Sequence, residues 1–285
     1  MKKVLITGAN SYIGTSFEKY VKENNVDFEI DTLDLLNPKW QEFDFSVYDS
    51  VFHVAGIAHF SKDESKKDLY YKVNTELTEK VALIAKQAGV NQFVFMSSII
   101  VYGDSTSSER IITKDTKPSP SDFYGDSKWQ AEQRLKNLVD SNFKVAIIRP
   151  PMIYGKGSKG NYPKLSRLAQ SIPIFPKISN SRSMLHIDNL CEFVNQLILK
   201  EEQGVFFPQN TEYVNTSELV KQIAEVHGKK VHLTKVLNPM INMLFPLNTV
   251  KKVFGNLTYD KQLSQYDFKY QVRTFAESIY LTERE

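Results

Sequence analysis

Short apolar runs at residues 4–6, 28–33, 50–54, 93–96 and 145–148 punctuate the first half of the chain. Runs of this length between polar turns predict strands covered on both faces of a parallel sheet. The segments between them carry helical spacing. One follows the first glycine-bearing turn over residues 15–22. Another sets Leu77, Val81, Ile84, Ala85 and Ala88 on one stripe and meets Gly89 where a helix should stop. Strand and helix in steady alternation predict an α/β fold, a Rossmann-like doubly wound parallel sheet with helices on both faces.

After Arg149 the texture changes. Pro150, Pro151, Gly155, Gly157, Gly160, Pro163, Pro173 and Pro176 crowd one stretch and predict a loop-rich region. A helix over 188–200, a short strand near 205–207, and a helix from a capping Ser217 to His227, stopped by Gly228, follow. From Val231 onward the pattern weakens. The expected division is a dinucleotide-binding Rossmann domain over 1–150, also receiving parts of about 183–208. A smaller C-terminal substrate-binding lobe then takes mainly 151–285.

Composition narrows the class. The chain has 285 residues, 41% hydrophobic and 24% charged, ordinary for a globular protein with one large core and an attached lobe. A net charge of +3 with no dense basic run argues against a nucleic-acid partner. Cys191 is the one cysteine, which excludes an internal disulfide and a cysteine-rich zinc site. His53, His59, His186, His227 and His232 show no metal-ligand spacing, so no metal is expected. The apolar run after Lys3 is too short for a signal core or a membrane span, and 240–247 is broken by Asn242 and Pro246. A cytoplasmic chain without membrane insertion is expected. The apolar side chains of 240–247 are read as lobe packing, with a partner or membrane face as the rival reading.

Between the first predicted strand and helix stands Thr7-Gly8-Ala9-Asn10-Ser11-Tyr12-Ile13-Gly14. Backbone N–H groups at a helix start, with little side chain in the way, make a seat for a pyrophosphate. The spacing resembles the TGxxGxxG pattern of short-chain dehydrogenases, with Ser11 at the middle glycine; its hydroxyl could donate to a phosphate oxygen. Asp31 and Asp34 near the end of the second strand are candidates to accept from the adenosine ribose. The absence of a nearby arginine favours NAD, and NADP stays open. Asp44-Phe45 fits an adenine-edge contact.

The element that decides the reading is Tyr124-Gly125-Asp126-Ser127-Lys128, preceded by the serine pair Ser97-Ser98 at a strand end. Tyrosine and lysine four apart on a helix share one face. A free phenol ionises near pH 10; a close ammonium favours the phenolate and makes a usable acid/base. The lysine can also grip the nicotinamide ribose. A YxxxK pair alone is common on helix surfaces. Behind a glycine loop, a ribose-type acid and a serine pair, in that order, it carries weight.

With these motifs the chain resembles the extended short-chain dehydrogenase/reductase family, the nucleotide-sugar epimerases, dehydratases and 4-ketoreductases. The likeness runs from Lys3 to about Leu190 and more loosely beyond. It implies that Ala55 and Gly56 of His53-Val54-Ala55-Gly56 lie against the cofactor and that Asn74 shapes the cofactor region. Counting back from Tyr102-Gly103, it implies that Ser98 is the catalytic serine, with Ser97 beside it on the substrate. His59 would lie in a loop bordering the sugar, unless it is simply a solvated loop histidine. Lys159-Gly160-Asn161-Tyr162-Pro163 resembles the stretch whose asparagine meets the nucleotide diphosphate. Arg182-Ser183-Met184-Leu185-His186-Ile187-Asp188 resembles an arginine-led motif whose guanidinium suits a diphosphate. The family's 4,6-dehydratases carry Asp-Glu straight after the catalytic serine or threonine; Ile99 and Ile100 stand there instead, which disfavours dehydration.

The resemblance therefore implies 4-epimerisation of a nucleotide sugar, a UDP-sugar for preference, using Ser98, Tyr124, Lys128 and NAD. Reduction of a UDP-4-keto-6-deoxy sugar in capsule or O-antigen synthesis is the alternative, and a non-catalytic dinucleotide-binding regulator a remote one. A homodimer through a helix bundle is what the family would imply.

Overall fold

The computed structural model describes residues 1–58 and 63–284. In chain order it runs β1 (Lys2–Thr7), α1 (Tyr12–Glu23), β2 (Phe28–Leu33), β3 (Ser50–His53), α2 (Lys67–Tyr70), α3 (Thr78–Gln87), β4 (Gln92–Met96), β5 (Ile111–Ile112), α4 (Phe123–Lys136) and β6 (Lys144–Ile148). There follow β7 (Met152–Tyr154), α5 (Asn161–Ser171), β8 (Ile174–Pro176), β9 (Met184–His186), α6 (Ile187–Leu199), β10 (Gly204–Phe206) and α7 (Thr216–Val226). β11 (His232–Thr234), α8 (Asn238–Leu244), α9 (Asn248–Phe254), β12 (Thr258–Tyr259) and α10 (Phe275–Arg284) complete the chain.

Two compact units emerge. The first comprises Met1–Gly103, Lys117–Pro150 and Leu190–Pro208; the second comprises Asp104–Thr116, Pro151–Asn189 and Gln209–Glu285.

The first unit is a six-stranded parallel sheet of order β10-β6-β4-β3-β1-β2. Alternation across the pleat supplies two apolar faces. Leu5, Val51, Phe93, Phe95, Val145 and Ile147 pack with Val81, Ala82 and Ala85 of α3 and Ala131 and Leu135 of α4. Phe52 on the opposite face meets Phe17 of α1 edge-to-face, centroids 5.3 Å apart. The strand order reverses between β1 and β3. In open α/β sheets ligands bind beyond the carboxyl ends of the strands at such a switch point.

The second unit collects three two-stranded pairs, β5 with β12, β7 with β9, and β8 with β11. Its core joins Tyr162, Leu165 and Ala169 of α5 to Leu219, Val220, Ile223 and Ala224 of α7 and Ile279 of α10. Three sequence expectations are revised here. Helix α5 occupies part of the stretch read as loop; Pro163 sits in its first turn, where a missing N–H costs nothing. Helix α7 is capped by Asn215, whose side chain accepts from Ser217 and Glu218 N–H. The Ser217 hydroxyl instead donates to the Pro176 carbonyl at 2.8 Å. Residues 104–116 join the second unit, because β5 pairs with β12.

Candidate active site

Gly8 leaves β1 with φ of +116°, and a Cβ there would lie 2.8 Å from the Ala55 backbone nitrogen and 3.0 Å from its Cα. No side chain fits such an approach, and the bare backbone this leaves is the cradle a pyrophosphate requires. Asn10 turns the chain with φ of 59°. Ser11 caps α1, its Oγ accepting the Gly14 N–H at 3.2 Å, so its own proton stays available to a ligand oxygen. A Cβ on Gly14 would stand 2.7 Å from that Oγ and 3.0 Å from Ile6 Cγ2, so glycine lets helix and strand close up. Tyr12 and Ile13 form the first turn of α1, where the helix dipole favours an anion. Gly8→Ala should cost roughly 1–3 kcal/mol of stability through forced backbone movement. It should weaken NAD binding at least about tenfold, one decade being about 1.4 kcal/mol; a calorimetric titration with wild-type affinity would refute the cradle.

The two candidate ribose acids differ in position. Asp31 lies within β2 opposite Leu5, and its Oδ2 accepts the Tyr48 hydroxyl at 2.8 Å. Asp34 follows Leu33, whose carbonyl accepts the Gly8 N–H at 3.1 Å, so Asp34 stands at the strand-end edge. Its Oδ1 accepts the Leu36 N–H. Asp44 is held by the Ser46 N–H and hydroxyl, which lower its carboxyl pKa. Phe45 is a correction: its ring is 1% exposed in the core beside Trp40 and Tyr48, so the side chain is closed to an adenine.

At the end of β3, Val54 and Ala55 both donate to the Thr7 carbonyl at 3.0 Å. His53 is buried between Thr7 Oγ1 at 2.7 Å and Thr78 Oγ1 at 3.0 Å. Burial, then the charge of Lys128, pushes its imidazole down to about 3, so it stays neutral and ties strand to helix. Asn74 lies in a π-helical turn, Tyr71–Leu77, of a kind that often marks a functional site. Its Oδ1 accepts the Ile57 N–H at 2.9 Å, and its Nδ2 donates to Ile57 O and Ser127 Oγ. A Cβ on Gly56 would lie 3.0 Å from Asn74 Oδ1 and 3.1 Å from Lys128 Nζ. The chain thus gathers Gly56, Asn74 and Lys128.

Tyr124 and Lys128 stand on the first two turns of α4, which Asp122 caps through the Gly125 N–H at 2.8 Å. Ser98 caps the 3₁₀ turn Ile99–Tyr102, its Oγ accepting the Ile100 N–H, and its hydroxyl favours the ionised form of the Tyr124 phenol. Gly125 permits this meeting, since a Cβ there would lie 2.7 Å from the Ile100 carbonyl oxygen. Lys128 Nζ donates to Met96 O at 2.8 Å and sits 4.7 Å from the Phe95 ring centroid. Among the described residues that is its acceptor, leaving most of the ammonium's three donors for a ligand. Burial lowers Lys128 to about 8. Tyr124 runs against the sequence expectation: burial pushes the phenol up to about 12, Ser98 opposing the rise and Asp122 and Tyr70 adding to it. In the chain itself desolvation is the largest cause, and Lys128 is not among the causes.

Ser97 is a second correction. It is 5% exposed, and its hydroxyl donates at 2.5 Å to Glu132, a carboxylate with no exposure. Glu132 is gripped by Arg149 through Nε at 3.0 Å and Nη2 at 2.5 Å, and Arg149 Nη1 donates to the Tyr102 hydroxyl. Sequence reasoning missed this buried pair under the Ser98 turn. Two charged residues on different elements leave no local periodic trace.

His59 lies outside the described residues. Asn161 opens α5 in the second unit after Gly160. In that unit Arg182 donates from Nη1 to Gly255 O at 2.9 Å, while its buried Nε has no partner. Burial pushes the guanidinium down to about 10, and among the described residues no carboxylate pairs with it. A desolvated cation with a spare donor suits an anionic ligand. Among the described residues, no group of three or more potential ligands could hold a metal ion.

Residues 4–207 match the NAD dependent epimerase/dehydratase family. A UDP-glucose 4-epimerase of Vibrio cholerae is 32% identical over 250 residues, covering 78% of this chain and 75% of that protein. An N-acetyl-alpha-D-glucosaminyl-diphospho-ditrans,octacis-undecaprenol 4-epimerase of Escherichia coli O157:H7 is 27% identical, covering 86% of this chain and 76% of that protein. The crystal structure of a dTDP-4-dehydrorhamnose reductase of Bacillus anthracis with NADP shares the fold, with TM-score 0.76, 98% of both chains covered and 21% identity. The chain belongs to the NAD dependent epimerase/dehydratase family and is an enzyme built around a nicotinamide dinucleotide.

Proposed function

We propose that the chain is a nucleotide-sugar 4-epimerase, acting on a UDP-sugar, with Tyr124 as its acid/base. The observation that carries this is Ser98 acting on the buried Tyr124 phenol, with buried Lys128 one turn further along α4, close to Gly56 and Asn74. The loop from Gly8 to Gly14 holds the pyrophosphate, Asp34 the adenosine ribose, and the spare N–H groups of Lys128 the nicotinamide ribose. Bound NAD supplies the hydride acceptor for C4 and the positive charge that a phenol raised to about 12 needs before it can serve as a base. Tyr124 Oη takes the proton of the sugar's 4-hydroxyl and returns it after the keto sugar has turned; Ser98 holds that sugar oxygen. In the second unit the lone guanidinium of Arg182, with Asn161, supports capture of a diphosphate, the group common to the substrates printed in both relatives' names.

A second reading, reduction of a UDP-4-keto-6-deoxy sugar, draws support from the same phenol. Held neutral, Tyr124 is suited to giving a proton. Ile99 and Ile100 after Ser98 argue against dehydration, since neither side chain exchanges protons. A panel of UDP-hexoses and UDP-4-keto-6-deoxy sugars with NAD(H) and NADP(H) tests the proposal. Interconversion of sugars without net change in cofactor absorbance is the expected result. Stoichiometric oxidation of reduced cofactor would replace it by the reductase reading. Dinucleotide binding with no turnover on any member would leave the regulator reading.

A further inference from the structure

The second unit carries an outward apolar stripe that the chemistry above does not use. Val236 is 83% exposed, Met240 47%, Met243 73% and Leu247 55%. Met240 and Met243 lie three apart on α8, and Val236 and Leu247 flank it in the turns before and after. The opposite side of the same segment is satisfied: Ile241 is buried in the unit's core and Phe245 packs against it. The sequence expectation of ordinary lobe packing for 240–247 thus holds for the inner side chains and fails for Met240, Met243 and Leu247.

What surrounds the stripe tells what it fits. From residue 226 to 259 the chain has five lysines, Lys229, Lys230, Lys235, Lys251 and Lys252, and no aspartate or glutamate. The chain as a whole carries only +3, so this stretch of sequence is more cationic than the rest of the chain. Lys229, Lys230 and Lys235 are exposed. A protein partner presenting a matching apolar helix would need no such excess of one sign. An interfacial bilayer segment needs both, side chains that enter the acyl boundary and ammonium groups at the level of the headgroups. Among the described residues no helix is long and apolar enough to cross a membrane, so the contact would be peripheral.

We propose that the α8 face, Val236 to Leu247 with its lysine surround, docks the protein on a membrane surface rich in anionic lipid. The shared chemistry is a plane of phosphodiester headgroups over an apolar layer. Co-sedimentation of the full chain with vesicles of phosphatidylcholine, alone or mixed with phosphatidylglycerol, tests this. The proposal expects at least roughly tenfold more protein bound to the anionic vesicles, and loss of that excess in high salt. Met240→Ser with Met243→Ser, both on the surface, should abolish binding while leaving the melting temperature unchanged. Lys230→Glu with Lys235→Glu should do the same from the charge side. Equal sedimentation with both vesicle types, or anionic binding undisturbed by either double variant, overturns the proposal. So does a concentration-dependent dimer that Met240→Ser and Met243→Ser dissolve, because the stripe would then belong to a second copy. Activity on soluble nucleotide sugars should be untouched, which separates failure here from failure of the epimerase reading.

Discussion

Tyr124→Phe should lower turnover on a nucleotide sugar by roughly 10²–10⁴-fold, the usual contribution of a positioned proton-transfer group. Folding and dinucleotide binding should stay close to wild type. The ring's edge-to-face contact with Tyr70, centroids 6.0 Å apart, survives the substitution, because it needs no hydroxyl. The cradle at Gly8 and the donors of Lys128 are also unaffected. The measurement is therefore two-part, steady-state turnover and a calorimetric titration with NAD. A fall in turnover alone supports proton transfer at Tyr124 Oη. A fall in binding alone would make the phenol a cofactor contact, and undiminished turnover would move the chemistry to another group. The elevated phenol sharpens the case: a group at about 12 is ionised to roughly one part in 10⁵ at neutral pH.

Glu132→Ala should destabilise the fold by about 3–5 kcal/mol, a large part of the stability of a typical domain. The reason is what remains. Arg149, with a side chain 5% exposed, would keep a buried guanidinium without the Glu132 carboxylate against it. Contacts with the rings of Tyr102, Trp129 and Phe207, at 5.1, 5.4 and 5.8 Å from the guanidinium carbon, attract the cation and cannot replace the bidentate pair. Ser97 would lose its acceptor, and the backbone carrying Ser98 would lose an anchor. Replacing both partners, Glu132→Met with Arg149→Met, should recover much of the loss, since two apolar groups leave no orphan charge. Denaturant unfolding of the single and double variants decides it; a single-variant loss under about 1 kcal/mol would show the pair to be solvated in practice.

The parts of this molecule legible in the sequence are those whose cause is local. Strands buried on both faces need consecutive apolar residues, and 4–6, 93–96 and 145–148 supply them. A Gly8 at φ of +116° and a Tyr–Lys pair one helical turn apart are likewise visible as letters in a row. What stayed hidden depends on direction or on distance. Ser97 and Ser98 are neighbours of one type, and the pleat decides which hydroxyl meets Glu132 and which meets the phenol. Phe45 follows a loop acid, yet its ring is buried in the core cluster that holds Trp40 and Tyr48. Gly125 read as one letter of a motif; its role is to let α4 touch the Ile100 carbonyl, which only the folded chain shows. Helix α5 was masked by the prolines and glycines around it, though Tyr162, Leu165 and Ala169 keep a helical interval.

The last strand of the central sheet comes from far along the chain. β10, residues Gly204–Phe206, closes the edge beside β6, and Gln92 reaches over to the carbonyls of Leu197 and Glu202 at 2.9 Å. A fragment cut after Pro150 would thus be no self-sufficient nucleotide-binding module. It would present β6 with a raw row of amides and carbonyls, and a stranded glutamine in the interior, inviting a neighbour's strand to finish the ladder. For this fold, synthesis must run past residue 206 before the dinucleotide half is whole.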